Sequence, residues 1–153
     1  MKIEHILPAD IERRSMEIIE SELGPIELPP DEKDIIKRVV HTSADFDYVR
    51  NLRFSEGAVT KALEALKAGC TIVTDTNMAC MGISKPGLTK LGCQKVCFMA
   101  DDDVAAAARE QGTTRAQASM DKAAGLTGPL IIAVGNAPTA LLRLKELIDE
   151  GRI

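Results

Sequence analysis

Three short apolar runs limit what this chain can become: "CTIVTDT" (70–76), "QKVCFMA" (94–100) and "GPLIIAV" (128–134). Each has strand length and is rich in β-branched or aromatic residues. Each is followed by a stretch whose apolar residues recur at helical spacing. Strands that alternate with helices cannot be joined by hairpins. They run parallel, and the crossover helices cover the sheet. The expected class is therefore α/β, a parallel sheet with helices on both faces and right-handed crossovers. Ligands of such sheets sit at the carboxyl ends of the strands, here "TDTNM", "MADDD" and "VGNAPT".

Upstream of the first run the pattern is helical only. "ADIERRSMEIIESEL" carries Ile11, Ile18 and Ile19 on one stripe, with Ser15 on that stripe and Arg14 at its edge. After the proline-rich break "PIELPPDE", a second helix is expected from about Asp31 to His41, with Ile35, Ile36, Val39 and Val40 buried. "SEGAVTKALEALKAG" reads as a third helix, with Ser55 as N-cap and Gly69 just past its end. Further helices are expected in "DDDVAAAAREQG", ending at Gly112, in "TTRAQASMDKAAG" and in "GNAPTALLRLKELIDEG", with a short helical segment around "GISKPG". With 153 residues and no internal repeat, one domain is expected, its N-terminal helices over 1–69 and its βαβ core over 70–153.

Composition excludes several classes. A net charge of −4, no tryptophan and 3% aromatic residues argue against nucleic-acid binding, which needs basic surfaces and stacking platforms. No apolar run approaches the roughly 20 residues of a membrane span. "MKIEHILPADIERR" has acids early and no apolar core, unlike a signal peptide, so a cytoplasmic location with reduced thiols is expected for Cys70, Cys80, Cys93 and Cys97. Cys93 and Cys97, four apart in an expected strand, would share a face. A metal pair there competes with the reading as small buried hydrophobes, and no second Cys/His pair completes a tetrahedral set.

The chemistry-bearing candidates are few. Of two histidines, His5 lies in an N-terminal segment expected to be solvated, and His41 ends the second helix in "KRVVHTSADFDY" (37–48). A histidine there is either a proton donor and acceptor near neutral pH or a polar residue at a packed helix end. Arg38, three residues before it, is its neighbour along one helix edge, and Asp45 could orient the ring if the helix continued. "VGNAPT" is a turn whose backbone N–H groups could hold an anion, or simply a good helix start. Arg115 stands at a helix N-terminus, where the macrodipole disfavours a cation unless the charge is used. The acids of "ADDD" are a metal site or, more simply, a helix start.

Taken in order and spacing, "ERRSMEII", "RVVHTSADFDY", "LRFSEGAV", "TDTNMACMGI", "GTTRAQAS" and "GNAPTALLRLKELI" resemble the precorrin-8X methylmutase (precorrin isomerase) family over essentially the whole chain. The resemblance implies a flavodoxin-like α/β fold and a homodimer with its active site at the subunit interface. It also implies an isomerase of cobalamin biosynthesis with a tetrapyrrole substrate. A methyl group would move from C11 to C12 of precorrin-8X or cobalt-precorrin-8, giving hydrogenobyrinate or cobyrinate, with no separate cofactor. His41 is implied as the proton donor or acceptor. Ser15, Arg38, Arg14, Thr42, Asp75, Arg115 and Asn136 are implied as substrate contacts. The chain stops at "DEGRI" where family members continue with a further strand and a glycine-rich loop, so a C-terminally shortened form is expected, with "LIIAV" as an exposed apolar sheet edge. A truncated, non-catalytic corrinoid-binding relative is the alternative.

Overall fold

The computed structural model describes residues 7–25 and 27–153; His5 lies outside them. The chain divides into two compact units, Met1–Thr60 and Lys61–Ile153.

In the first unit a 3-10 turn, Pro8–Asp10, leads into α1 (Ile11–Leu23), followed by α2 (Pro30–Ser43) and a short α3 (Tyr48–Asn51). Pro30 opens α2 at a position where its missing N–H is not needed, and Asp31 and Glu32 sit at the positive helix end. α1 and α2 pack through Ile19, Ile36 and Val40, with Met16, Leu23, Leu28, Phe46, Val49, Leu52 and Phe54 closing around them. The expected apolar faces are only partly buried. Ile36 and Val40 are 2% and 1% exposed, whereas Ile11, Ile18 and Ile35 stand 53%, 43% and 39% exposed. Two crossing helices bury a narrow seam, and apolar residues on the flanks of a broader stripe stay outside it.

α2 runs two residues past His41. It ends at Ala44, which takes a left-handed conformation (φ +54°) and donates its N–H to the Val40 carbonyl at 2.8 Å. α3 escapes periodicity because it has only four residues.

The second unit holds strands β1 (Thr71–Thr74), β2 (Gln94–Val96) and β3 (Leu130–Ala133) in the order β2-β1-β3, all parallel. Its helices are α5 (Asn77–Gly82), α6 (Lys85–Leu91), α7 (Asp102–Glu110), α8 (Arg115–Ala123) and α9 (Pro138–Asp149); α4 (Ala58–Lys67) spans the boundary between the units. Strand alternation sorts the core into two layers. Val73 packs with Val96 and Ile132 against Ala116, Met120 and Ala123 of α8 and Ala140, Leu144 and Leu147 of α9. Cys70, Ile72 and Ile131 pack with Ala65, Leu66, Ile83 and Leu88. Helices thus cover both faces of a parallel sheet, the expected class. Met120 and Leu147 are 0% exposed, and burying such side chains stabilises by about 1.5–3 kcal/mol each.

Three local expectations are corrected. β2 pairs only over Gln94–Val96, because the chain turns at Phe98, whose carbonyl accepts from the Asp101 N–H at 3.1 Å. Cys93 and Cys97 therefore flank the ladder and share no strand face. Cys93 instead meets Cys70, Sγ to Sγ 3.9 Å, and all four cysteines are free thiols. Ser55 does not cap α4, which starts at Ala58 after a turn in which the Ser55 carbonyl accepts from the Ala58 N–H at 3.0 Å. Gly69 does close that helix. Its φ is +76°, and a Cβ would lie 3.2 Å from the Gly92 carbonyl oxygen, so only glycine fits.

β3 lies at the sheet edge, with Leu130, Ile131 and Ile132 half-buried. Among the described residues no helix is long and apolar enough to cross a membrane.

Candidate active site

The first unit brings together two residues that are 26 positions apart. Ser15, a half-buried hydroxyl on the apolar side of α1, lies 2.7 Å from Nδ1 of His41, near the end of α2. The serine fits on that stripe because its partner is a polar atom on the facing helix. The contact fixes the ring orientation and occupies Nδ1, which leaves Nε2 as the nitrogen for an incoming group. The pair opens on a groove of about 330 Å³ lined by Ile11, Arg14, Ser15, Ile18, Ile19, Glu22, Val40, His41, Ala44 and Phe46. The exposed Ile11 and Ile18 are two of its apolar walls. That combination of apolar lining and a few convergent polar groups is the usual make-up of a small-molecule site.

Asp45 does not orient the imidazole. The helix stops at Ala44, and Asp45 folds back locally: its Oδ1 accepts from the Asp47 N–H at 2.9 Å, and its own N–H donates to Ser43 Oγ at 3.2 Å. A serine nucleophile needs its base oriented by a third group, and Asp45 does not supply it. Proton exchange at His41 is the chemistry this arrangement offers.

The cations around the pair are solvated. Arg38 reaches across to α1, where its Nη2 lies 2.7 Å from Oε1 of Glu12, the two side chains 58% and 61% exposed. Arg14, on the groove wall, stands 3.5 Å from Glu17 in its own helix. Thr42 lies on the exposed side of α2 and donates its hydroxyl to the Arg38 carbonyl at 3.0 Å. Of the implied residues, Ser15, Arg14 and His41 therefore share the groove. Arg38 and Thr42 lie beside His41 on α2 and are not among the groove's lining residues.

The other three implied residues belong to the second unit. Asp75, at the carboxyl end of β1, is 1% exposed. Its carboxylate accepts from the N–H groups of Gly135 (3.2 Å), Asn136 (2.7 Å) and Ala137 (2.8 Å). Burial works to raise its pKa, but these backbone donors outweigh that and hold it below the ordinary value. The "VGNAPT" turn does hold an anion, and the anion is the chain's own aspartate. In this structure Asp75 is an internal clasp between the end of β1 and the turn before α9.

Asn136 keeps an exposed side chain, and it lines a hollow of about 260 Å³ with Gly135, Pro138 and Leu141. Arg115 is exposed at the first residue of α8, and among the described residues it has no salt-bridge partner. That helix start is held by a reciprocal capping box between Thr114 and Gln117, and Thr114 Oγ1 bonds Thr139 Oγ1 at 3.0 Å. Two of the three acids of "ADDD" are paired internally, and Asp102 is exposed at the start of α7. Lys122 pairs with Asp101 and with Asp103, each at 2.7 Å, and its ammonium lies 5.1 Å from the centre of the Phe98 ring.

The model of the family described as precorrin-8X methylmutase matches residues 10–153. The cobalt-precorrin-8 methylmutase of Leptospira interrogans is 39% identical over 146 residues, covering 94% of this chain and 66% of that protein. The cobalt-precorrin-8 methylmutase of Salmonella typhimurium is 46% identical over 113 residues, covering 73% of this chain and 54% of that protein. The precorrin-8X methylmutase of Pseudomonas aeruginosa is 33% identical over 141 residues, covering 92% and 67%. The crystal structure of the precorrin-8X methyl mutase from Thermus thermophilus superposes with a TM-score of 0.85 at 39% identity, over 94% of this chain and 69% of that one. The chain spans about two thirds of the length of the curated relatives it matches.

Proposed function

The chain belongs to the precorrin-8X methylmutase family, and on that premise we propose that it moves a methyl group from C11 to C12 of precorrin-8X or cobalt-precorrin-8, with His41 as the acid and base. The observation that supports this most is the 2.7 Å contact between Ser15 Oγ and His41 Nδ1 beside an apolar groove. His41 gives a proton from Nε2 to a nitrogen of the macrocycle, while Ser15 holds the ring in place for the transfer. Protonation makes the conjugated system electron-poor. The C11–methyl bond breaks as the C12–methyl bond forms, and the proton then returns to Nε2. Substrate and product have the same atoms and the same oxidation state, so the reaction calls for no redox cofactor.

The substrate is ringed with carboxylates, and Arg14 and Arg38 are the cations of the first unit suited to them. Arg115 and the exposed side chain of Asn136 are the candidates from the second unit. In the same reading the protein is a cytoplasmic homodimer of flavodoxin-like fold.

The test is the absorbance of the coloured product formed by purified wild type and by His41→Ala. The substitution is expected to lower turnover by about 10²–10⁴-fold with an unchanged circular dichroism spectrum. Wild-type turnover in the variant would overturn the assignment of His41.

A further inference from the structure

Among the polar contacts between the facing helices of the first unit, two adjoin the groove end: Ser15 with His41 and Glu12 with Arg38. Glu20 with Lys33 and Lys37 lies toward the other end. Ser15 follows Glu12 by three residues on α1, and His41 follows Arg38 by three on α2. Ser15 meets His41 at 2.7 Å and Glu12 meets Arg38 at 2.7 Å. Residues three apart are neighbours on a helix face. Because α1 and α2 run antiparallel here, with Ser15 at His41 and Glu20 at Lys33 and Lys37, Glu12 and Arg38 lie one turn to opposite sides of the Ser15–His41 contact, and their side chains meet diagonally across it. The ion pair is therefore a neighbour of the proton-transfer pair, where a carboxylate on the rim of a macrocycle bound at His41 would arrive. Both members of the ion pair are more than half exposed. Such a pair is solvated and weakly held, so a competing carboxylate can displace it. Arg13 differs, since it pairs with Glu17 of its own helix and with Asp10 at that helix's start.

We propose that Glu12 is a specificity-determining residue of this site: a built-in carboxylate that holds Arg38 until a carboxylate of the ligand replaces it. This rests on the functional reading above. A ligand bearing a carboxylate recovers the interaction that it breaks. A ligand with a neutral group at that position breaks it without return, so the pair discriminates in favour of the free acid.

The experiment uses the whole chain and hydrogenobyrinic acid, the proposed product, as a coloured probe in equilibrium titrations at low and high ionic strength. Glu12→Gln removes the internal competitor. It is expected to tighten binding about two- to fivefold at low ionic strength, the range that corresponds to an exposed ion pair, with the gain fading at high salt. In turnover, KM falls by the same factor and kcat changes less. Glu27→Gln makes the same charge change beyond the opposite end of α1 and is expected to leave affinity unchanged. Unchanged or weaker binding by Glu12→Gln, or equal tightening by Glu27→Gln, overturns the role of Glu12 alone. Absence of binding by wild type overturns the functional reading and this inference together.

Discussion

Replacing Asp75 by asparagine tests whether the clasp between β1 and the start of α9 is structural. The carboxylate is 1% exposed and takes N–H donors at 2.7, 2.8 and 3.2 Å from Asn136, Ala137 and Gly135. Hydrogen bonds to a charged acceptor contribute about 1.5–3 kcal/mol each, but those sharing one buried carboxylate do not add, because its desolvation is charged against them all. Asparagine keeps one acceptor oxygen, which can serve the two short contacts. Its amide nitrogen then faces the Gly135 N–H, donor against donor. We expect Asp75→Asn to destabilise by about 2–3 kcal/mol and Asp75→Ala by about 3–5 kcal/mol. For a chain of this size the asparagine variant should then melt about 4–12 °C lower.

The assay is urea unfolding followed by circular dichroism, repeated from neutral to acidic pH. The folded carboxyl releases its proton more readily than the unfolded one, since its pKa lies below the ordinary value. Its contribution is therefore complete above the usual carboxyl range and is lost as pH falls through the depressed folded value. Wild type should lose stability relative to Asp75→Asn across that acidic window, and the two curves should converge. An asparagine variant within about 0.5 kcal/mol of wild type at neutral pH refutes the clasp.

Two further stability predictions follow from single residues. Ala44→Gly relieves a left-handed alanine at φ +54° and should stabilise by about 0.5–1 kcal/mol, read as a higher urea midpoint at unchanged slope. Met120→Ala empties a fully buried position between α8 and the sheet and should cost about 2–5 kcal/mol by the same measurement.

The parallel sheet was legible because strand and helix alternate, and the ends of α4 and α7 because Gly69 and Gly112 act locally. The end of α2 and the start of α4 were not, since α2 runs past His41 and Ser55 does not cap α4. The contacts that make the site were not, since they join elements whose mutual orientation no local pattern carries. Ser15 stood out as a hydroxyl on an apolar stripe, and His41 as a histidine at a helix end. That they meet depends on how α1 crosses α2. Asp45 could have oriented His41 only if the helix continued, and a single left-handed residue, Ala44, ends it. Nothing in the local pattern singles out Glu12; only the packing of α2 on α1 brings Arg38 to it. Asp75 read as a ligand-binding acid at a strand end. The N–H donors that its carboxylate meets lie 60 to 62 positions downstream, in a turn that the sequence shows only as a possible anion site.

Whether Ser15 and His41 act as one proton-transfer unit is decided by a double-mutant cycle on kcat/KM. Ser15→Ala alone is expected to lower kcat/KM by about tenfold or more through loss of ring orientation. In the His41→Ala background the same substitution should change it by less than about twofold, because no ring remains to orient. Equal losses in the two backgrounds would contradict the account, since Ser15 would then act on the substrate independently of His41.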